Sequence, residues 1–434
     1  MPYQAGKRLS GERASRLGHL DVLKSDLVNK LCASFEQPSL ASRPSGTMWG
    51  PVPDTGQVLP LVFGVDGSLQ IIESETRPHK ALAFIKTALL RLDRHALSSV
   101  DEESPHPFVL RDILAESALY HATVLPLRHV VVPGVSVYDA VRQIIFESMR
   151  DASLEGQPFE TLKWLAYAKW SEQRNPSTTF ECPHCERTVA SLPYDADTAP
   201  CPSCKATVYL SDMLGFHQEM APDSAPDTVA SAYMAIHETL LLFTGIRYFW
   251  ENNQEILSNC LFVKDGPLSI RAQYSKLVIP IRSFLDFSRG RGCLVHILGQ
   301  EKTGAFADHL QLLGTTAPPK SVFIPGDRYI KEEIQHRPDR GMPYGKDTNY
   351  GAKVFLKLDD YHQSVLNIPT GPHVKDPRLA DLIGGDRIFK TLPTILSNRF
   401  EGALLPIELA HGVASLSTYP SARILKVFAD SKLR

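Results

Sequence analysis

Four cysteines carry the sharpest chemical signal in the sequence: Cys182-Pro183-His184-Cys185 and Cys201-Pro202-Ser203-Cys204, two Cys-x-x-Cys pairs separated by fifteen residues. Two residues between thiolates let a tight turn aim both sulfurs at one ion, and four thiolates satisfy tetrahedral zinc with no position left for water. The spacing is that of a zinc ribbon. It predicts a structural Zn2+ held by Cys182, Cys185, Cys201 and Cys204 in an insertion over 178–212. A segment of roughly 30 residues cannot build its own core, so metal ligation would supply most of its folding free energy. Arg187 and Lys205 are the only basic residues near the knuckles. Contact with a partner protein or a second subunit is therefore as reasonable for the ribbon as contact with DNA.

The second signal is a pair of acids. Gly64-Val65-Asp66-Gly67-Ser68 and Val263-Lys264-Asp265-Gly266-Pro267 each follow a short apolar run and place glycine directly after an aspartate. On period-two alternation, Val62, Gly64 and Asp66 share one face of a strand, as do Leu261, Val263 and Asp265. If the two strands are neighbours, the carboxylates converge and can hold divalent cations. Metal-assisted phosphodiester hydrolysis uses such carboxylates, with two ions roughly 3.5–4 Å apart. The plainer reading is that each Asp-Gly simply makes a turn.

The elements that must position these groups follow from periodicity. Helical spacing over 20–35 and a Ser-, Pro- and Gly-rich stretch to 56 make 1–55 an accessory helical segment. A buried strand is expected over 58–65, turning at Asp66-Gly67-Ser68 into a second strand over 69–72. Helices are expected over 81–97, 135–149, 228–250 and 408–414, with Pro406 suited to the first turn of the last. Strands are expected over 123–132, 261–266 and 293–298, and 354–358 could pair with 362–368. Strands mixed with long helices predict an α/β core over 56–434, interrupted by the ribbon.

Composition bounds the rest. With 43% hydrophobic residues the chain can bury a large core. Forty-six Lys and Arg against 48 Asp and Glu give a net charge of −2, which excludes nucleic-acid binding by bulk charge but not a local basic groove. Cys32, Cys260 and Cys293 stand alone, and an odd cysteine count without a secretory signal argues against a disulfide framework. The first sixteen residues lack an apolar h-region and no run reads as a membrane span, so a soluble cytoplasmic protein without membrane contact is expected.

Taken in order, Val65-Asp66-Gly67-Ser68, a Glu-bearing helix, Lys264-Asp265-Gly266-Pro267-Leu268, the strand into Gln300-Glu301-Lys302, and Leu405-Pro406-Ile407-Glu408-Leu409-Ala410-His411 resemble the NurA family of DNA-end-processing nucleases. Gly18-His19-Leu20 adds a weaker match near the N-terminus. The resemblance implies an RNase H-like mixed sheet flanked by helices and a manganese-dependent nuclease, with Mg2+ as the other candidate ion. It also implies action on single strands and duplex DNA ends, a homodimer, and a HerA-type hexameric ATPase as partner. Carried over by position, Asp66, Glu238 and Asp265 would be metal ligands. His411 would be a ligand or a transition-state contact, and Lys302 would offset phosphate charge. Glu238 is placed there because its apolar helix leads into the second Asp-Gly strand; Glu147, Glu251 and Glu255 compete for its role, and Glu73 and Asp359 are possible extra carboxylates. The zinc knuckles depart from the compact family pattern. One alternative is a non-catalytic adaptor that docks a DNA-translocating ATPase through its ribbon; another is a DNA-binding module without turnover.

Overall fold

Period-two burial, rather than helical periodicity, organises the first half of the chain's larger unit. The computed structural model describes residues 22–35, 48–74, 77–92, 118–220, 227–270, 276–397, 399, 402–416 and 420–432. The chain divides into two compact units, Met1–Ser45 and Gly46–Arg434. In the first, helix α1 (Asp26–Ser34) falls inside the stretch expected to be helical and is capped by Ser25, whose Oγ accepts from the Val28 amide.

The second unit carries β1 (Gly50–Pro51), β2 (Leu61–Glu73), β3 (Ala81–Leu92) and β4 (Ala118–Arg128). Four short strands follow, β5 (Phe180–Glu181), β6 (Thr188–Ala190), β7 (Thr198–Pro200) and β8 (Thr207–Tyr209). Then come β9 (Cys260–Asp265), β10 (His296–Glu301), β11 (Ser321–Phe323), β12 (Ala352–Lys357) and β13 (Gln363–Ile368). Among the described residues, nine of them form one mixed sheet in the order β1-β11-β12-β13-β10-β9-β2-β3-β4. β9 runs parallel to both β2 and β10, while the other neighbours are antiparallel. A parallel pair needs a long crossover, and the chain between β4 and β9 supplies it. β9 is buried from Cys260 to Lys264, as expected of a strand covered on both faces.

Helices cover the two faces: α2 (Val137–Met149), α3 (Gln157–Ala166), α4 (Asp227–Asn252), α5 (Val278–Gly290), α6 (Ala305–Gly314), α7 (Gly385–Thr391), α8 (Leu405–Ala414) and α9 (Ser421–Lys432). Phe63, Val65 and Phe262 pack with Leu240 and Ile246 of α4 in one core. Val62, Val263 and Leu298 pack with Leu404 and Ile407, at the start of α8, in another. The sheet thus separates an α4 side from an α8 side. Over Thr228–Asn252, α4 has the length and apolar character of a membrane span, but 78% of its most apolar window is buried inside the fold. Its apolar surface is spent on the core.

Two expected elements are corrected. The stretch from Ala81 is strand β3, not a helix: Ala81, Ala83, Ile85 and Thr87 alternate inward, and the strand pairs with β2 from Val62–Leu92 to Glu73–Ala81. Scattered lysine and arginine imitate a solvated helix face, but twelve pairings with β2 outweigh that local pattern. Residues 93–97 of that expected helix lie outside the described residues. The second correction concerns Asp66-Gly67-Ser68, which makes no hairpin; β2 runs straight through it, because β3 pairs with it residue for residue. The hairpin of β12 and β13 forms as expected, with Val354 opposite Leu366. α8 contains the expected stretch, with Pro406 in its first turn.

Gly64 faces α8, where a Cβ would collide with the Pro406 carbonyl. Because the obstacle is backbone, Gly64→Ala is expected to cost about 1–3 kcal/mol of stability, read as a lower denaturant midpoint. A variant as stable as the wild type would mean that α8 is not seated on β2.

Candidate functional site

The ribbon is built by repetition. Glu186 N–H donates to the Cys182 carbonyl at 2.9 Å and Cys182 N–H to Arg187 at 3.0 Å; Lys205 N–H donates to Cys201 at 2.9 Å and Cys201 N–H to Ala206 at 2.8 Å. Glu186 and Lys205, directly after each Cys-x-x-Cys, both adopt a left-handed backbone (φ 57° and 66°). These matched turns bring all four Sγ atoms within 4.8 Å of one another. Cys182–Cys204 are 3.7 Å apart and Cys185–Cys201 3.9 Å. Sulfurs on a tetrahedron with Zn–S near 2.3 Å stand about 3.8 Å apart. The four cysteines therefore form a group that could hold a metal such as zinc.

The ribbon is not an isolated arm. Phe180, Leu192, Val208 and Leu210 join the core that α4 helps to form. Buried Arg142 on α2 grips Asp212 with two hydrogen bonds of 3.0 and 2.8 Å, and Lys163 on α3 pairs with Asp195 and Asp197, both at 2.9 Å. The two basic residues beside the knuckles are committed locally: Arg187 donates to Ser203 and Lys205 to the Pro202 carbonyl. Of the other cysteines, Cys260 is inert, its thiol pushed up to about 12 by burial.

The acids meet at the centre of the sheet. Parallel pairing of β2 with β9 sets Val65 opposite Lys264, so one residue further on Asp66 and Asp265 lie side by side on the α8 face. Burial raises the Asp66 carboxyl above its ordinary value, and the charge of Asp265 raises it further. Against this act the Gly67 amide, 2.7 Å from Asp66 Oδ1, and His411 of α8, whose Nδ1 lies 2.8 Å from Oδ2. Lys302, following β10, puts Nζ 3.1 Å from Asp265 Oδ1. Four residues singled out in the sequence thus form one cluster: Asp66, Asp265, Lys302 and His411.

Glu238 comes to the cluster from the other side. It projects from α4 into the gap above Gly67, where a Cβ would stand 2.6 Å from its Oε1. Its Oε2 accepts a 2.7 Å bond from Lys264 Nζ, an ion pair with both side chains about 6% exposed. Burial drives the Glu238 carboxyl up and Lys264 pulls it back, while Asp66 and Asp265 add to the rise. The three carboxylates feel one another without sharing a point: among the described residues, the cysteine set is the one metal-type group whose donors all fall within 4.8 Å. Lys264 is the member of this site that sequence reasoning passed over; a lysine inside a buried apolar strand was the available signal. The competing acids lie elsewhere. Glu147, Glu251 and Glu255 are exposed, Glu73 pairs with Arg128, and Asp359 is occupied by the His362 ring and two backbone amides.

Two buried carboxylates and a half-buried one, each raising the charge cost of its neighbour, are a donor set suited to a hard divalent cation. The histidine and lysine beside them supply the positive charge within the chain. Comparison with known proteins identifies no relative: no protein-family model and no curated protein matches the chain.

Two predictions follow from these charges and thiolates. The folded state at neutral pH pays for ionising Asp66 beside Asp265, while the Lys302–Asp265 pair is partly exposed and worth little. With no Mn2+ or Mg2+ added, Asp265→Asn should therefore leave the thermal midpoint unchanged or raise it by a few degrees, whereas Glu238→Ala, which strands the Lys264 charge, should cost about 3–5 kcal/mol. A marked fall for Asp265→Asn would show that the aspartates do not repel. Elemental analysis should also find zinc in the wild type, and Cys201→Ser should lose both the metal and the ribbon's resistance to proteolysis. A zinc-free wild type with an intact ribbon would rule the metal out.

Proposed function

We propose that this protein is a divalent-metal-dependent deoxyribonuclease acting on single strands or duplex DNA ends, with its site at Asp66 and Asp265. The observation that carries the reading is the meeting of two acids, remote in sequence, on one face of neighbouring parallel strands, where one raises the pKa of the other. The order β4-β3-β2-β9-β10, with β2, β9 and β10 parallel and β3 antiparallel to β2, supports an RNase H-like core. The ordered motifs shared with the NurA family support the same activity, together with a homodimer and a HerA-type hexameric ATPase that delivers DNA.

Asp66 and Asp265 would hold Mn2+ or Mg2+. When bound, the ion supplies Lewis acidity, ionising water near neutral pH and offsetting charge on phosphoryl oxygens. Asp66 orients His411 by accepting from its Nδ1, which leaves Nε2 of the half-exposed ring to exchange a proton with the leaving oxygen. Lys302 Nζ, 3.1 Å from Asp265, stands where it can also meet a phosphate oxygen. Glu238, paired with Lys264, backs the site from behind the sheet and does not share the face of the two aspartates.

The test is cleavage of end-labelled single- and double-stranded DNA with manganese, with and without a co-encoded ATPase. The wild type should cleave, and Asp66→Ala and Asp265→Ala should each lose more than the roughly 10–100-fold typical of outer-shell partners. Full activity in both variants refutes the site. Zinc-loaded protein that never cleaves, even with the ATPase, would favour the adaptor.

A further inference from the structure

A cleft opens beside the acids, across β10 and β13. It encloses about 320 Å³, with Lys302, Gln311, Tyr361 and Ser364 on its walls and Gln300 in its floor. That volume lies at the small end of the range for small-molecule sites, about 300–1,000 Å³. The cleft is continuous with the acids. Gln300 pairs in register with Asp265, and Lys302 both lines the cleft and binds Asp265.

Its chemistry is specific. Glu301, the acid beside it, is cancelled by Lys353 and by Asn367 Nδ2 at 2.7 Å, so among the described lining residues the cation left to meet a phosphate is Lys302, which is 39% exposed and also pairs with Asp265. Gln300 Nε2 donates to the Gly402 carbonyl at 2.5 Å and to Ser364 Oγ at 3.3 Å. Because the Gly402 oxygen can only accept, this fixes the amide orientation. It leaves Gln300 Oε1 buried and without a donor. At the rim, Tyr361 is 77% exposed. Its turn is held rigid by Asp359 Oδ1, which accepts from the Tyr361 and His362 amides at 2.8 and 2.7 Å. An exposed aromatic ring beside amide side chains and one cation matches the parts of a nucleotide: a π face, hydrogen-bonding edges and a phosphate.

We propose that this cleft binds one unpaired nucleotide of a DNA strand, its base stacked on Tyr361 and its edge met by Gln311 and the Gln300 floor, with the adjoining phosphate toward Lys302. The proposal rests on the nuclease reading of the acids and names the strand state that the site accepts. A cleft of this size takes a single base, so a duplex end must open before its terminal nucleotide enters. The Gln311 amide, which can both donate and accept, makes the site tolerant of sequence.

The experiment is fluorescence anisotropy with the full zinc-loaded chain and no added Mn2+ or Mg2+, so that no turnover occurs, using a short labelled single strand and a blunt hairpin of the same composition. The wild type should bind the single strand more tightly. Tyr361→Ala and Gln311→Ala should each weaken that binding, the former about tenfold, while Tyr361→Phe stays within about twofold of the wild type. Wild-type affinity in Tyr361→Ala and Gln311→Ala overturns the proposal, as does a wild type that shows no binding or prefers the hairpin. The two readings fail separately: manganese-dependent cleavage with unaltered binding in the variants removes the cleft and keeps the nuclease, and variant-sensitive binding without cleavage does the reverse.

Discussion

The parallel pairing of β2 with β9 is the constraint on which the centre of this molecule depends. It sets Asp66 beside Asp265 where burial has already made charge expensive, and neighbouring elements are arranged around that cost. His411 leans on one carboxylate and Lys302 on the other, and Lys264 neutralises the third acid, Glu238, from behind. None of these contacts is local in sequence. Burying like charges together lowers stability unless something offsets it, and these contacts are that offset.

Two glycines let the helices come close enough for this. Gly64 admits the first turn of α8, which brings His411 onto the Asp66 face, and Gly67 admits Glu238 of α4 on the reverse face. The sheet here is one backbone thick and its sides differ: toward α8, Asp66 is buried while Asp265 and His411 are part-exposed, and toward α4, Glu238 and Lys264 are sealed as an ion pair. The cysteine ribbon belongs to the sealed side, because its apolar residues share a core with α4. The cysteine group and the carboxylates are therefore joined through α4, the helix that carries Glu238.

What the sequence disclosed depended on how local each feature is. The cysteine pairs are legible because two residues between thiolates define their own geometry. The strand into Asp265 is legible because a short apolar run ending at glycine fits few other elements. The Asp66 turn was misread because Asp-Gly is a sound local turn signal, while the pairing of Asp66 with Ala88 and the glycine's service to Glu238 are tertiary facts. β3 was misread for the same reason: Lys86 reads as a helix-surface cation, yet in the strand its Nζ reaches the Val413 carbonyl beyond His411. Lys264 escaped notice because its partner approaches from a helix that the sequence places before the strand but cannot orient.

At the level of Asp66 the α8 face has a direction. Moving across the strands, Asp66 and Asp265 give two negative positions, Gln300 gives a neutral oxygen in register with Asp265, and Lys302 stands at the border before the uncharged cleft. A cation at the acids would draw a phosphate to that end, and the excess negative charge there would repel a second phosphate laid directly over it without one. Beyond Lys302, with Glu301 cancelled by Lys353, the remaining described residues lining the cleft are uncharged and suit the flat, polar body of a base better than a phosphate. On the proposed reading, the order of charges across the sheet would orient a strand before any base is read, and strand register supplies most of that order.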